Sequence, residues 1–242
     1  MGCDTDSPQN TFAPNGNVAK DQRDLYLLAM WPAVVILILV EGGLLLLLLR
    51  YRRRRGNMMP KQIHGNPRLE LAWTIAPALL LAALAVPTLA SIADIAKNPG
   101  PSALQVDVIA RQWSWEFRYP DIKDSKGQPI SSLNELHIPV GTKVHARIVS
   151  DDIIHSFWIP RLAGKIDAVP GRTNTLTFDA IDPGTYAGEC AEFCGLGHAL
   201  MKMTVVAQSD SEFTAWVRQK QGAASASPGG AAVAALESGH GN

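Results

Sequence analysis

The sequence predicts two membrane-spanning helices followed by an all-β sandwich or barrel. Two observations predict this fold class. First, the 242-residue chain carries two long apolar runs near its N-terminus, at 25–49 and 71–90. Second, from residue 104 onward apolar and polar side chains alternate in short segments separated by Pro-Gly and similar turn dipeptides. The formal net charge is zero, which gives no reason to expect a nucleic-acid partner.

Residues 1–24 are rich in Asp, Asn, Pro and Gly, and this composition predicts a flexible leader without a core of its own. Cys3 follows Gly2, as a lipid-modified cysteine follows a small residue. The apolar segment that precedes such a modification site is not found ahead of Cys3. We therefore expect a free cysteine, with lipidation as the alternative.

The first apolar run contains a single charged residue, Glu41. As a helix with a rise of about 1.5 Å per residue, this run would be roughly 37 Å long and could cross a hydrocarbon core of about 30 Å. A carboxylate at this depth normally faces protein, and the adjacent Gly42 and Gly43 permit close approach of another helix. We therefore expect a larger membrane partner that buries Glu41, with a proton-carrying role as the alternative.

Basic residues are concentrated between the two apolar runs, at Arg50, Arg52, Arg53, Arg54, Arg55, Lys61 and Arg68. The positive-inside rule places such a loop in the cytoplasm. Both flanks then lie on the opposite side, so the chain after about residue 95 is expected to be periplasmic or extracellular. The predicted location is a bacterial inner membrane, with the region 25–95 as the membrane anchor.

The region 100–222 has the pattern of a β domain. Alternating apolar residues are followed by Trp113, Trp115, Phe117 and Tyr119, which we expect on one face of a strand. Further strand-like runs lie at 136–140, 144–149, 175–178, 185–188 and 201–206. Their spacing favours a sandwich or barrel of antiparallel strands.

The C-terminal end of the chain predicts a helix and a tail. A capping box at 209–212 begins a short amphipathic helix that runs to about Lys220. The Ala-, Gly- and Ser-rich stretch 223–242 has the composition of a disordered tail.

The stretch 190–201 concentrates metal-binding side chains: Cys190, Glu192, Cys194, His198 and Met201. Thiolate, thioether and imidazole donors suit copper, zinc or iron, whereas hard cations prefer oxygen. A disulfide between Cys190 and Cys194 would leave His198 and Met201 unexplained. The residue types therefore favour a copper electron-transfer site. A structural zinc site is the alternative, although zinc would not need Met201.

A second imidazole is available at His155, directly after a predicted strand. A mononuclear blue-copper site uses two His, one Cys and a weak axial Met. The present chain offers an additional thiolate, so its donors are enough for two copper ions bridged by both sulfurs. Sharing one electron over two metals in a rigid frame keeps reorganisation small, as fast electron transfer requires.

These segments together resemble cytochrome c oxidase subunit II, whose cupredoxin-like domain carries the binuclear copper centre known as CuA. The resemblance extends from about residue 24 to residue 219. It rests on the two N-terminal helices and on four segments, which are Gln-Trp-Ser-Trp at 112–115, His-Ser-Phe-Trp at 155–158, the stretch 165–172 and the stretch 190–201.

The resemblance implies a ligand set for two copper ions: His155, Cys190, Glu192, Cys194, His198 and Met201. Cys190 and Cys194 bridge the ions, and each imidazole binds one of them. The Met201 thioether and the main-chain carbonyl of Glu192 complete the set. The Glu192 side chain is similar to a family carboxylate that reaches a magnesium or manganese ion shared with the catalytic subunit.

Three further residues match family positions. Trp113 resembles the exposed aromatic at which electrons arrive from cytochrome c, with a core aromatic as the alternative. Glu70 resembles the carboxylate at the cytoplasmic entrance of a proton path, with a charge at a helix start as the alternative. Asp167 resembles an acid near the docking face for cytochrome c, or is a turn aspartate.

The docking surface departs from the family pattern. Arg118 stands where many relatives carry an acid, and Ser114 replaces a Tyr. Residues 101–222 hold 14 acidic and 12 basic side chains, a net charge of −2. A strongly basic donor steered by charge is therefore less expected than a membrane-anchored donor or one held by apolar contact.

The function that the resemblance implies is that of the electron-accepting subunit of a terminal respiratory oxidase. Electrons from cytochrome c would pass to haem in catalytic subunit I, where oxygen is reduced to water and protons are pumped; subunit III and the lipid bilayer are the other expected partners. Subunit II of a related quinol oxidase is one alternative, but that branch has lost the copper ligands. A nitric oxide reductase component of the same fold is the other.

Overall fold

The computed structural model of the chain describes residues 7–52, 62 and 65–223. The predictions for Cys3, for the basic residues 53–55 and 61, and for the tail beyond residue 223 lie outside these residues. The chain divides into two compact units. One contains the β domain together with the segment up to Lys20, and the other contains residues 21–97.

Two long helices form the N-terminal part of the chain. Helix α1 spans Asn17–Arg50 and helix α2 spans Pro67–Ile95. Both are long and apolar enough to cross a membrane, and most of their apolar side chains are exposed within this chain. Both extend beyond the predicted apolar runs because polar residues continue the helix at its ends. At the start of α2, the Asn66 side chain accepts the N–H groups of Arg68 and Leu69 at 3.1 and 3.4 Å.

The segment directly ahead of α1 is attached to the β domain. The Asn15 N–H donates to the Arg161 carbonyl at 2.6 Å, and the Asn15 side chain donates to Asp182 at 2.8 Å. Gly16 lies so close to the Leu162 carbonyl oxygen that an added Cβ would stand 2.3 Å from it. The structure differs here from the predicted flexible leader, because the polar backbone groups of this segment find hydrogen-bond partners in the β domain.

Ten strands in the described residues form two five-stranded sheets that pack as a sandwich. In chain order they are β1 (Leu104–Arg111), β2 (Ser114–Lys123), β3 (Pro129–Leu133), β4 (Glu135–Pro139), β5 (Val144–Ser150), β6 (His155–Trp158), β7 (Ile166–Ala168), β8 (Asn174–Phe178), β9 (Gly184–Cys190) and β10 (Lys202–Gln208). The sheet orders are β3-β2-β1-β5-β8 and β4-β10-β9-β6-β7. The predicted fold class, a pair of apolar helices followed by an all-β sandwich, is confirmed.

Strand direction departs from the sequence prediction at two places. Most neighbouring strands pair antiparallel as expected, but β1 pairs with β5, and β4 with β10, in parallel. Parallel neighbours cannot be joined by a short hairpin. In both pairs the chain passes through strands of both sheets before it returns beside the earlier strand.

The core between the sheets is aromatic near β2. Trp115, Phe117 and Tyr119 are fully buried, as their alternation predicts. Phe157 on β6 meets Trp115 edge-on, with ring centroids 5.5 Å apart. Trp113 was expected on the same face but is 41% exposed, because it precedes β2 and lies in the turn of the β1–β2 hairpin.

Helix α3 spans Asp210–Ala223 and packs on this core through Trp216. The predicted capping box forms: the Ser209 N–H donates to the Glu212 carboxylate at 2.9 Å, and the Glu212 N–H donates to Ser209 Oγ at 3.4 Å. The Trp216 ring lies 5.2 Å from that of Tyr119. The helix therefore extends the aromatic cluster to the surface of the domain.

The Tyr119 hydroxyl is a buried anchor whose removal we expect to destabilise the domain. It lies 2.9 Å from both the N–H and the carbonyl oxygen of His137. Tyr119→Phe keeps the ring but leaves both groups unpaired, so the free energy of unfolding should fall by about 1–3 kcal/mol. Thermal denaturation of the detergent-solubilised chain measures this loss. Tyr51→Phe, at a residue that is 76% exposed, is the control; equal Tm values for both variants would contradict the prediction.

Candidate metal centre

Sheet register brings His155 and the stretch 190–201 together at one end of the sandwich. His155 is the first residue of β6 and Cys190 is the last residue of β9. The two strands pair antiparallel with Phe157 opposite Cys190. The stretch 190–201 then leaves β9 and returns into β10, and the Cys190 N–H donates to the Met201 carbonyl at 3.0 Å to close the loop.

Two buried cysteine sulfurs lie at the middle of this site. Cys190 Sγ and Cys194 Sγ are 3.7 Å apart, and both cysteines are free. Each sulfur has its own imidazole: His155 Nδ1 is 3.9 Å from Cys190 Sγ, and His198 Nδ1 is 3.7 Å from Cys194 Sγ. The ligand atoms of His155, Cys190 and Cys194 all lie within 4.8 Å of one another, which is close enough to hold a metal ion.

Two weaker donors complete the arrangement, one beside each sulfur. The main-chain carbonyl oxygen of Glu192 lies 3.2 Å from Cys190 Sγ. The thioether sulfur of Met201, a fully buried residue, lies 3.8 Å from Cys194 Sγ. The structure thus brings together all six of the ligand groups expected from the sequence. Sulfur and imidazole donors grouped in this way suit a soft metal such as copper.

The protonation chemistry of the thiols also fits a metal site. Burial, followed by the neighbouring Cys190 thiol, raises the pKa of Cys194 to about 12. Two thiolates at this distance in a buried site would repel each other and lack hydration. A metal cation offsets both costs, because thiolate ligands bind metals in their deprotonated form.

Asp152 is a residue of this site for which no role was predicted from the sequence. Its Oδ1 lies 2.8 Å from His155 Nε2, the ring nitrogen that faces away from the sulfurs. Burial raises the pKa of Asp152, but the hydrogen bonds from His155 and from the N–H groups of Gln112 and Ile153 outweigh it and lower the pKa to about 2. Asp152 is therefore an ionised hydrogen-bond acceptor behind one imidazole. Its position three residues before His155 was the available signal.

The β1–β2 hairpin contacts the loop directly. The Trp113 indole N–H and the Gln112 side-chain amide both donate to the Cys194 carbonyl oxygen at 2.9 Å. The Trp113 ring also lies against Gly197, where an added Cβ would stand 2.4 Å from ring atom Cδ2. The sequence indicated Trp113, but Gln112 and Gly197 were missed as contacts because their proximity depends on the tertiary fold.

The remaining predicted site residues lie elsewhere. The Glu192 side chain is exposed although its carbonyl faces Cys190. Glu70 lies in the first turn of α2, where its carboxylate accepts the Asn66 N–H at 3.3 Å. Asp167 is an exposed residue of β7, and Glu41 lies in the apolar part of α1. Glu70 thus contributes to the N-terminal cap of α2.

Comparison with known protein families gives two matches that together span most of the chain. Residues 104–209 match the family model described as cytochrome c oxidase subunit II, periplasmic domain. Residues 13–91 match the model described as cytochrome c oxidase subunit II, transmembrane domain. The two matches correspond to the β domain and to the pair of long helices.

Two curated relatives agree with these matches. The chain is 42% identical to cytochrome c oxidase subunit 2 of Alkalihalophilus pseudofirmus over 66% of this chain and 46% of that protein. It is 32% identical to the same subunit of Cyanidium caldarium over 63% of this chain and 67% of that protein. A crystal structure of the periplasmic domain of subunit II of cytochrome oxidase from Bradyrhizobium japonicum is 28% identical, with a TM-score of 0.48, and covers 52% of this chain and 99% of that structure.

The chain spans about half the length of the first of these curated relatives, 46% in the case of Alkalihalophilus pseudofirmus. The Cyanidium caldarium relative is matched over two thirds of its length. The two family models together match both long helices and the domain that contains the Cys/His cluster. The chain belongs to the cytochrome c oxidase subunit II family.

Proposed function

We propose that this chain is the electron-accepting subunit of a terminal respiratory oxidase and that it holds a binuclear copper centre. The observation that carries this proposal is the pairing of donors around the two sulfurs. Cys190 has an imidazole and a carbonyl oxygen beside it, and Cys194 has an imidazole and a thioether. Copper, when bound, supplies one-electron redox chemistry that is shared between two ions. Zinc would have no use for the buried thioether.

Trp113 is the proposed point at which electrons arrive. Its indole is partly exposed, and its N–H donates to the carbonyl of Cys194, one of the two cysteines that would hold copper. One side chain thus reaches from the surface to the main chain of a copper ligand. This contact supports the assignment of Trp113 over the alternative of a buried core aromatic.

Glu192 is the proposed link to the catalytic subunit. Its carbonyl faces Cys190 while its carboxylate is exposed. A magnesium or manganese ion prefers oxygen ligands, so the exposed carboxylate could share such an ion with catalytic subunit I. In this proposal electrons pass onward to haem in that subunit, where oxygen is reduced to water and protons are pumped. Subunit III completes the proposed complex.

The proposed donor is a cytochrome c held largely by apolar contact. Three apolar side chains of the loop are strongly exposed, namely Phe193 (76%), Leu196 (100%) and Leu200 (81%). Arg118 pairs with Glu116 at 2.9 Å and so neutralises an acid near the Trp113 hairpin. These features support an apolar docking surface over one that is strongly acidic.

The membrane arrangement is part of the proposal. Helices α1 and α2 would anchor the chain in a bacterial inner membrane, with the basic segment that begins at Arg50 in the cytoplasm and the β domain on the periplasmic side. Glu41 would face a partner helix in the bilayer, since it is exposed among apolar residues of this chain. Glu70 would cap α2 and lie at the proton-path entrance.

Copper loading of the full-length chain in detergent tests the central proposal. We expect uptake of two copper ions per chain and a seven-line copper hyperfine pattern in electron paramagnetic resonance, because one unpaired electron is shared by two equivalent nuclei. Cys194→Ser, which removes one bridging sulfur, should abolish this pattern. A four-line pattern in the unmodified chain, or no copper uptake, would exclude the binuclear centre.

Met201→Leu should retain copper but shift its reduction potential and slow electron transfer, because a weak axial donor tunes a copper site. The substitution conserves volume and should cost less than about 1.5 kcal/mol in stability. Met203→Leu is a matched control, since Met203 is also buried but lies on β10. Potentiometry and stopped-flow kinetics measure the effects. An unchanged reduction potential and electron-transfer rate in Met201→Leu, together with changes in both quantities in Met203→Leu, would identify Met203 as the ligand.

Gly197→Ala should displace the Trp113 ring while leaving the copper ligands in place, because the new Cβ would overlap the indole. We expect oxidation of reduced cytochrome c to slow by about 10- to 100-fold, as misplacement by about 1 Å can do. Gly222→Ala, where an added Cβ meets nothing within 4 Å, is the control. The effect should vanish in a Trp113→Ala background; an equal slowing there would argue against displacement of Trp113.

A further inference from the structure

We propose that Asp152 is a positioning residue whose carboxylate holds both the His155 imidazole and the hairpin that carries Trp113. The inference rests on the proposed binuclear copper site and adds a residue to it. Asp152 lies in the turn between β5 and β6, and its side chain is 31% exposed. Oδ1 of its carboxylate accepts from His155 and also from Ser150 and Ile153 of its own turn. Oδ2 accepts from Gln112, in a different part of the site.

The first oxygen determines which nitrogen of His155 is free to bind metal. His155 Nδ1 faces Cys190, so Nε2 must carry the proton that is donated to Asp152 Oδ1 at 2.8 Å. A carboxylate in this position fixes the tautomer and the ring orientation of a ligating histidine and raises its basicity. His155 is fully buried, and its ring also meets Trp115 edge-on at 6.2 Å, so the hydrogen bond acts on a ring that is already confined.

The second oxygen holds the hairpin that carries Trp113. Asp152 Oδ2 accepts the main-chain N–H of Gln112 at 2.6 Å. Gln112 directly precedes Trp113, and both side chains donate to the Cys194 carbonyl. One carboxylate therefore connects a copper ligand on β6 with the hairpin through which we propose that electrons arrive. A shift of Asp152 would disturb both at once.

The neighbouring residue holds the same turn by a different interaction. Asp151 pairs with Arg111 of β1 at 2.7 Å, and Arg111 also pairs with Glu116 of β2 at 2.7 Å. These ion pairs tie the turn to the hairpin but do not reach His155. Asp151 and Asp152 are thus adjacent carboxylates of equal charge, and only one of them contacts a proposed ligand.

The two imidazoles of the site differ in whether a carboxylate contacts their second ring nitrogen. His198 is partly exposed, and its ring meets Phe193 at 5.7 Å. Within the part of the chain that the structure describes, no carboxylate contacts His198 Nε2. The Asp152 hydrogen bond therefore orients one imidazole of the site, and the described residues provide no corresponding contact for the other.

Asp152→Asn and Asp151→Asn form a matched pair, because each removes one negative charge at almost the same place. An asparagine at position 152 has one acceptor oxygen, so it cannot accept from both His155 and Gln112. In the copper-loaded full-length chain we expect Asp152→Asn to raise the midpoint potential more than Asp151→Asn does, to lower copper affinity on the order of 10-fold, and to alter the copper hyperfine pattern. Equal potentials, affinities and spectra for the two variants would overturn the inference.

A second measurement needs no copper. Nitrogen NMR of histidine-labelled chain should find the His155 proton on Nε2 in the unmodified protein and in Asp151→Asn, and a mixture of tautomers in Asp152→Asn. An unchanged tautomer in Asp152→Asn would overturn the positioning role. Failure of the unmodified chain to form a binuclear centre would instead remove the proposed function, and the NMR comparison would still test Asp152.

Discussion

The rest of the site depends on one constraint, which is that two cysteine sulfurs lie 3.7 Å apart in a buried place. Burial and mutual repulsion both oppose the ionisation of such a pair, and the pKa of Cys194 is raised for these reasons. A bound metal cation would offset both costs. The other groups beside the sulfurs are two imidazoles, a carbonyl oxygen and a thioether, none of which adds a negative charge to the pair.

Strand pairing brings the groups of this site together around the two sulfurs. Pairing of β6 with β9 sets His155 beside Cys190, and pairing of β9 with β10 brings both ends of the loop together. Hydrogen bonds from Gln112 and Trp113 to the Cys194 carbonyl then hold the middle of the loop. The positions of the candidate metal-binding groups are therefore set by the sheets and by the β1–β2 hairpin.

The sequence predicted those parts of the protein that depend on local pattern. Apolar length indicated the helices, and alternation indicated Trp115 and Phe117 as core. The spacing within 190–201 indicated that the two cysteines of this stretch would lie close together. The parallel pairs β1–β5 and β4–β10 were missed because local alternation carries no information on which distant strand becomes a neighbour. Asp152 was missed for a related reason, since its partner Gln112 is 40 residues away in the chain.

The closure of the loop on two adjacent strands also bears on how such a site changes during evolution. Five of the six donor groups come from the single segment 190–201, and the strands at its ends are paired directly, Glu189 opposite Lys202. The contents of the segment can therefore be replaced without altering the register of the sheet. Side chains within this segment can therefore change while the strands that carry it keep their pairing, so the chemistry of the site and the stability of the sandwich can vary independently.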